Sequence, residues 1–204
     1  MERYQDYVIR DGEFVGEFEA MYQKFDNPWS QIEEAEESYS RNAMLLSLNR
    51  FNVQSAVEIG CGLGYTTNMI KLAIPEIDIC GIDISDTAIK KANQKFPDIR
   101  FYVSSVNDFT GSLENSGGVQ CLIFAEVMWY ILDDLPKIID DINVKFRGRL
   151  VMINQTFYKG QQQYGRDFFT NVDEMIKYLG WECLVKQITD TGIESIATHC
   201  VLRI

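Results

Sequence analysis

The chain is short of histidine, of basic residues and of long apolar runs, and each shortage closes off a class of function. Against 30 Asp and Glu stand only 19 Lys and Arg, a formal net charge of -11. That charge repels nucleic-acid backbones and anionic lipid surfaces at long range, and no run of Lys or Arg supplies a local exception, so no nucleic acid is expected as a partner. No stretch approaches the ~20 apolar residues of a membrane span, and the amino terminus, MERYQDYVIRDGEF, is too acidic for a secretory leader. A soluble, cytoplasmic protein with no membrane partner is the expectation. CxxC spacing is also missing: Cys61, Cys80, Cys121, Cys183 and Cys200 are odd in number, and each lies in or beside an apolar stretch. They read as reduced thiols, and no metal site is expected. The single histidine, His199, sits in the edge-strand pattern IATHCVL and reads as structural rather than as a general base. Internal repeats and low-complexity segments are absent as well.

What is present suits one domain spanning 1–204. A chain of 204 residues with 46% hydrophobic and 24% charged residues is long enough to bury roughly 70% of the surface its unfolded form exposes. From residue 54 onward, within a core of residues 51–204, short β-branched runs alternate with helical patterns. The strand candidates are SAVEIG, IDICGID, IRFYV, QCLIFA, RLVMIN, WECLVKQI and SIATHCVLRI. Between the first five lie TTNMIKLAI, SDTAIKKANQKF and LDDLPKIIDDIN, where Pro136 suits a first helical turn and Ile138, Ile139 and Ile142 share a face. This βαβα rhythm predicts an α/β fold, a mostly parallel sheet with helices on both faces. After the helix TNVDEMIKYLG, with Thr170 and Asp173 as a capping box and Gly180 as its stop, two strands follow in succession and predict an antiparallel hairpin at one edge. Residues 1–50 stand apart as a helical cap or lid. In them SQIEEAEESYSRNAMLLSLNRF reads as one helix started by Ser30 and Glu33, behind the aromatic segment MYQKFDNPWS.

The stretch VEIGCGLGYTT carries the strongest chemical signal. Gly60, Gly62 and Gly64 fall where the first core strand turns into a helix, and a turn without side chains lets backbone N–H groups approach a ligand. The spacing G-x-G-x-G departs from the G-x-G-x-x-G of dinucleotide folds, so a nicotinamide-dependent oxidoreductase is the weaker alternative. Glu58 precedes the turn and can face a positive group. Asp83 closes the next strand, where a carboxylate accepts hydrogen bonds from both hydroxyls of a ribose. The bland alternatives are a helix start at Asp83, with Ser85 as cap, and a tight turn that needs glycine for its own geometry.

These segments resemble the class I S-adenosylmethionine-dependent methyltransferases of the small-molecule type. VEIGCGLGYTT is similar to their first motif, GIDIS to the second and CLIFAEVMWYI to the fourth, over residues 50 to 154. DNPW paired with EVMWYI looks most like nodulation-factor N-methyltransferases and their relatives. The resemblance implies a Rossmann-like seven-stranded sheet in the order 3-2-1-4-5-7-6, with strand 7 antiparallel. It implies that S-adenosyl-L-methionine is bound and released as S-adenosyl-L-homocysteine. Gly60 and Gly62, with Cys61 between them, would flank the methionine moiety, and Glu58 would lie near its amino group. Asp83 would take the ribose and Ile84 would pack on adenine. In YVSSVNDF the family often has an acid reading the adenine amino group; Ser105 and Val106 stand there instead, with Asp108 three residues on. The fourth motif lacks the Asn/Asp-Pro-Pro-aromatic pattern of enzymes acting on nucleic-acid bases or protein glutamine.

For the acceptor, Glu126 is the best-placed acid for catalysis, with a positioning role as the alternative. Trp129 and Tyr130 either wall the pocket or begin the next helix's apolar face. Tyr22, Phe25 and Trp29 either fold over the pocket or pack on the core. QTFYKGQQQYGRDFF carries Tyr158, Lys159, Tyr164 and Arg166; its basic pair, Lys159 and Arg166, would recognise an anionic acceptor such as a phosphate, phosphonate or carboxylate, with solvated surface charges as the alternative. The expected function is methyl transfer to O or N of a small metabolite; the alternative is a non-catalytic binding module on the same fold.

Overall fold

A computed structural model describes residues 3–31, 38–111, 118–160, 164–192 and 194–204. Seven strands form the central sheet: β3 (Ser55–Ile59), β4 (Asp78–Asp83), β5 (Arg100–Val103), β6 (Cys121–Ala125), β7 (Leu150–Tyr158), β8 (Glu182–Asp190) and β9 (Ser195–Arg203). A small hairpin, β1 (Ile9–Arg10) and β2 (Glu13–Phe14), precedes them. The order across the sheet is β5-β4-β3-β6-β7-β9-β8, and β9 runs antiparallel to both of its neighbours. Numbered from the first core strand, this is the expected 3-2-1-4-5-7-6.

The helices are α1 (Phe18–Lys24), α2 (Tyr39–Arg50), α3 (Tyr65–Ala73), α4 (Asp86–Lys95), α5 (Val106–Gly111), α6 (Leu135–Lys145) and α7 (Val172–Leu179). Strand side chains alternate between the sheet's two faces. Ala56, Ile123 and Met152 turn to one face and pack with Met44 and Leu48 of α2 and Ile70 of α3. Val57, Leu122 and Val151 turn to the other and pack with Ile138 and Ile142 of α6 and Met175 of α7. No helix among the described residues is long and apolar enough to cross a membrane.

Several local expectations shift. Ser30 has φ +48° and ends a 3-10 turn, Pro28–Ser30, instead of capping a long helix. Ser38 is the cap of α2, its hydroxyl accepting from the Arg41 N–H; Glu33 lies outside the described residues. At α7 the cap is Asn171, one residue later than expected, and the reciprocal contact goes to the residue before it. Asn171 accepts from the Glu174 N–H, and Glu174 accepts from the Thr170 N–H at 2.7 Å. Gly180 stops the helix in the left-handed region at φ +72°, as the sequence requires. β7 continues through Tyr158 because β9 pairs with it along its whole length, Tyr158 lying opposite Ser195. His199 is therefore in an interior strand, not at the edge. Its ring is fully buried between the Ser47 hydroxyl (2.8 Å) and the Asn154 side-chain oxygen (2.7 Å), and desolvation lowers its pKa to about 4.

Residues 3–31 form an aromatic cap. Met21 and Tyr22 of α1 are buried with Leu63 and Ala88, and Phe18, Phe25 and Trp29 pack around them. Two polar contacts join the cap to α4. Glu19 accepts from the Ser85 hydroxyl (2.6 Å) and the Thr87 N–H (3.1 Å), which holds its pKa near 2; the Lys91 ammonium donates to the Tyr22 and Phe25 carbonyls at the end of α1.

Candidate functional site

A cavity of about 390 Å³ opens at the carboxyl ends of β3, β4 and β6 and is roofed by the cap. Its lining includes Glu58, Gly60, Cys61, Asp83, Ile84, Ser105 and Val106 from the cofactor-side expectations. It also includes Tyr22, Trp29, Glu126, Trp129, Tyr130 and Tyr158 from the acceptor-side ones. Residues scattered over the chain are brought to one space.

The glycine turn is left-handed at all three positions, with φ of +69°, +53° and +79° at Gly60, Gly62 and Gly64. A side chain at any of them would strike protein. A Cβ at Gly60 would lie 2.6 Å from Val127, at Gly62 2.5 Å from the Tyr22 hydroxyl, and at Gly64 2.6 Å from Phe101. The glycines thus serve turn geometry and close packing, as the tight-turn reading of the sequence requires. Gly62 does not line the cavity; its N–H donates to the Asp83 carboxylate at 2.9 Å.

Asp83 also accepts from the Ser85 N–H at 2.9 Å, and its own burial raises its pKa. Both its roles on the sequence, strand-end acid and neighbour of a helix start, are therefore present, with Ser85 capping α4 through the Ala88 N–H. Ile84 beside it is 61% exposed, an apolar ledge at the rim. Glu58 is buried in the floor, hydrogen-bonded by the Thr67 hydroxyl, and desolvation pushes its pKa up to about 7 against the pull of Thr67 and of the Arg41 charge.

Arg41 was not singled out in the sequence, because an arginine near the start of a polar helix normally reaches water. Here it is buried and lines the cavity. Asn107 was missed too: it lines the cavity beside Ser105 and Val106, and its side-chain oxygen is buried without a hydrogen-bond partner. Asp108 is used locally instead, accepting from the Ser105 hydroxyl at 2.6 Å while Ser105 caps its N–H. Gln31 ties the cap to the turn, its oxygen accepting from the Leu63 N–H (2.9 Å) and its amide donating to the Tyr22 hydroxyl (3.1 Å).

Glu126 follows β6 with φ +60°, a conformation costly for a residue with a side chain. Its carboxylate accepts from the Thr156 N–H (2.9 Å) and hydroxyl (3.0 Å), which hold it in place. Trp129 is buried and its indole N–H donates to the Thr156 carbonyl at 3.1 Å. Tyr130 packs against Trp29 and Phe18, and burial raises its pKa. Lys159 and Arg166 do not join them. They line a separate cavity of about 400 Å³ next to α7, Lys159 paired with Asp190 at 2.5 Å, and among the described residues only Tyr158 borders both spaces. The extension of β7 carries Lys159 away from the first cavity, so the expected anion pair over its mouth is not formed.

The lining offers a buried carboxylate that could hold an ammonium, a buried guanidinium that could hold a carboxylate, a strand-end acid that could take a diol and an apolar ledge that could carry a flat base. Residues 57–143 match the family described as methyltransferase domain. Over 63 residues the chain is 30% identical to trans-aconitate 2-methyltransferase of Afipia carboxidovorans, which covers 31% of this chain and 25% of that one; the alignment thus spans a quarter of that relative's length. Among solved structures, N-methyltransferase NodS from Bradyrhizobium japonicum in complex with S-adenosyl-L-homocysteine superposes with a TM-score of 0.65 at 17% identity, covering 91% of this chain and 97% of that one. Magnesium protoporphyrin IX methyltransferase from Synechocystis with bound S-adenosylmethionine gives 0.61 at 16% identity, covering 86% and 83%. At these identities the structures establish the fold.

Proposed function

We propose that this chain, a member of the class I S-adenosylmethionine-dependent methyltransferases, transfers a methyl group to oxygen or nitrogen of a small molecule. One observation carries the reading: Glu58, Arg41 and Asp83, from two adjacent strands and a helix of the cap side, meet in one cavity beside the glycine turn. Glu58 and Arg41 would hold the amino-acid end of the cofactor, Asp83 the ribose, and Ile84 with Asn107 the adenine. When bound, the cofactor supplies an electrophilic methyl group on a sulfonium.

The protein's own part is placement. In-line displacement rewards exact alignment, worth up to ~7 to 11 kcal/mol in favourable cases. Glu126 is fixed by Thr156 where it can orient the acceptor or take its proton, and the cap excludes water from above. Residues 3–31 act as that lid, while α2, expected to belong to it, packs on the sheet as part of the core. Free thiols at all five cysteines support a cytoplasmic setting. A sugar is a compatible acceptor; an anionic one is less so, because the basic pair lines the other cavity.

Calorimetric titration tests the reading. Binding of S-adenosylhomocysteine in the micromolar range, with none of NAD, supports it, and the reverse order of affinity would sink it. Binding without turnover on any acceptor would favour a non-catalytic module.

A further inference from the structure

The acceptor end of the cavity has a definite chemical character. Tyr4, Phe18, Trp29 and Tyr130 line it as mutually packed rings: the Tyr4 and Trp29 centroids are 5.5 Å apart, Phe18 and Tyr130 5.5 Å, and Trp29 and Tyr130 5.8 Å. Of the charged groups that line the same cavity, Arg41, Glu58, Asp83, Glu126 and Asp134, four are carboxylates. Glu126 acts on the Tyr130 hydroxyl electrostatically, and Asp134, exposed at the start of α6, lines the same space without capping the helix. Among the described lining residues the one base is Arg41, which faces Glu58 at the cofactor end.

Ring faces carry negative potential, and aromatic walls with carboxylates are the environment that recognises a positive nitrogen. They penalise a carboxylate or phosphate by like charge, and they give a neutral hydroxyl no comparable electrostatic gain. We infer that the acceptor is a primary or secondary amine, captured as its ammonium ion between the ring cage and the carboxylates of Glu126 and Asp134.

This rests on the methyltransferase reading and adds the class of nucleophile to it. The ammonium gives up one proton, through Glu126 to water, before it can react. The nitrogen lone pair then forms the N–C bond as the methyl C–S bond breaks with its electron pair passing to sulfur, and the product leaves as a methylated ammonium ion.

Tryptophan fluorescence separates the two levels, since Trp29 and Trp129 both line the cavity. Titration with S-adenosylhomocysteine comes first, and its failure to bind would sink the methyltransferase reading. Benzyltrimethylammonium, benzyl alcohol and phenylacetate are then titrated with and without that ligand. The expected result is that the cation binds at least about tenfold tighter than the other two, and that Glu126→Gln and Asp134→Asn each weaken it by up to about tenfold while leaving S-adenosylhomocysteine affinity unchanged. No binding of the cation, equal binding of all three, a preference for phenylacetate, or cation affinity unmoved in Asp134→Asn would overturn the amine assignment. If Glu126→Gln misfolds through its Thr156 contacts, Asp134→Asn decides alone.

Discussion

At the proposed cofactor end of the cavity the polar groups hang from neighbouring strands, Glu58 from β3, where it lies opposite Gly81, and Asp83 from the end of β4. At the acceptor end Tyr4 and Trp29 of the cap meet Tyr130 and Glu126 beyond β6, and the cap is joined to the core by side-chain contacts and ring packing. The first end is fixed by the sheet; the second depends on how a separate segment docks. Affinity for the cofactor and access to the acceptor are thus mechanically separable.

Four perturbations test that separation, in falling order of effect. Asp83→Ala removes a charged acceptor of hydrogen bonds, each worth ~1.5 to 3 kcal/mol, so calorimetry should show S-adenosylhomocysteine affinity reduced about 100-fold or more. Its melting temperature should fall as well, because the Gly62 and Ser85 N–H groups lose their acceptor; unchanged affinity would break the comparison at its stronger end. Gly64→Ala forces a side chain into a left-handed position against Phe101, and a loss of roughly 1 to 3 kcal/mol is expected by denaturant unfolding.

The third perturbation is pH. Glu58 has a folded pKa near 7 against 4.5 unfolded. The native state therefore holds the extra proton, and this group's contribution to stability falls as pH rises from 4.5 to 7. An ammonium ligand reverses the preference, so S-adenosylhomocysteine should bind about tenfold more tightly for each unit gained below pH 7 and level off above it. Glu58→Gln should flatten that slope. Smallest is the latch: Glu19→Ala should speed S-adenosylhomocysteine release a few-fold, with little change in the core's unfolding. Glu19's depressed pKa places its contribution above pH 4.5, lost as pH falls toward 2.

The same contrast explains what could be read from residues alone. The cofactor end was legible because each of its signals is local: a glycine turn fixes the backbone within five residues, and an acid at a strand end needs only the alternation of the sheet to be placed. The rhythm and the closing hairpin predicted a mostly parallel sheet with an antiparallel edge, and the strand order itself came with the family resemblance. Arg41 escaped because burial of a guanidinium depends on what lies across from it, and Lys159 was misplaced because the length of β7 is set by pairing with β9, forty residues later in the chain, rather than by its own residues. The break at Ser30 was hidden by a helical pattern that runs on through it; Trp29 and Ser30 take left-handed angles that the docking of the cap imposes.

The chain of contacts from Ser47 through His199 to Asn154 has a practical corollary. Its imidazole is neutral across the ordinary assay range and sealed from reagents. Acylating probes should leave His199 unmodified in the native protein, and a kinetic limb near neutrality, which most enzymologists would assign to an imidazole, is to be sought here in a carboxyl group or in the substrate itself.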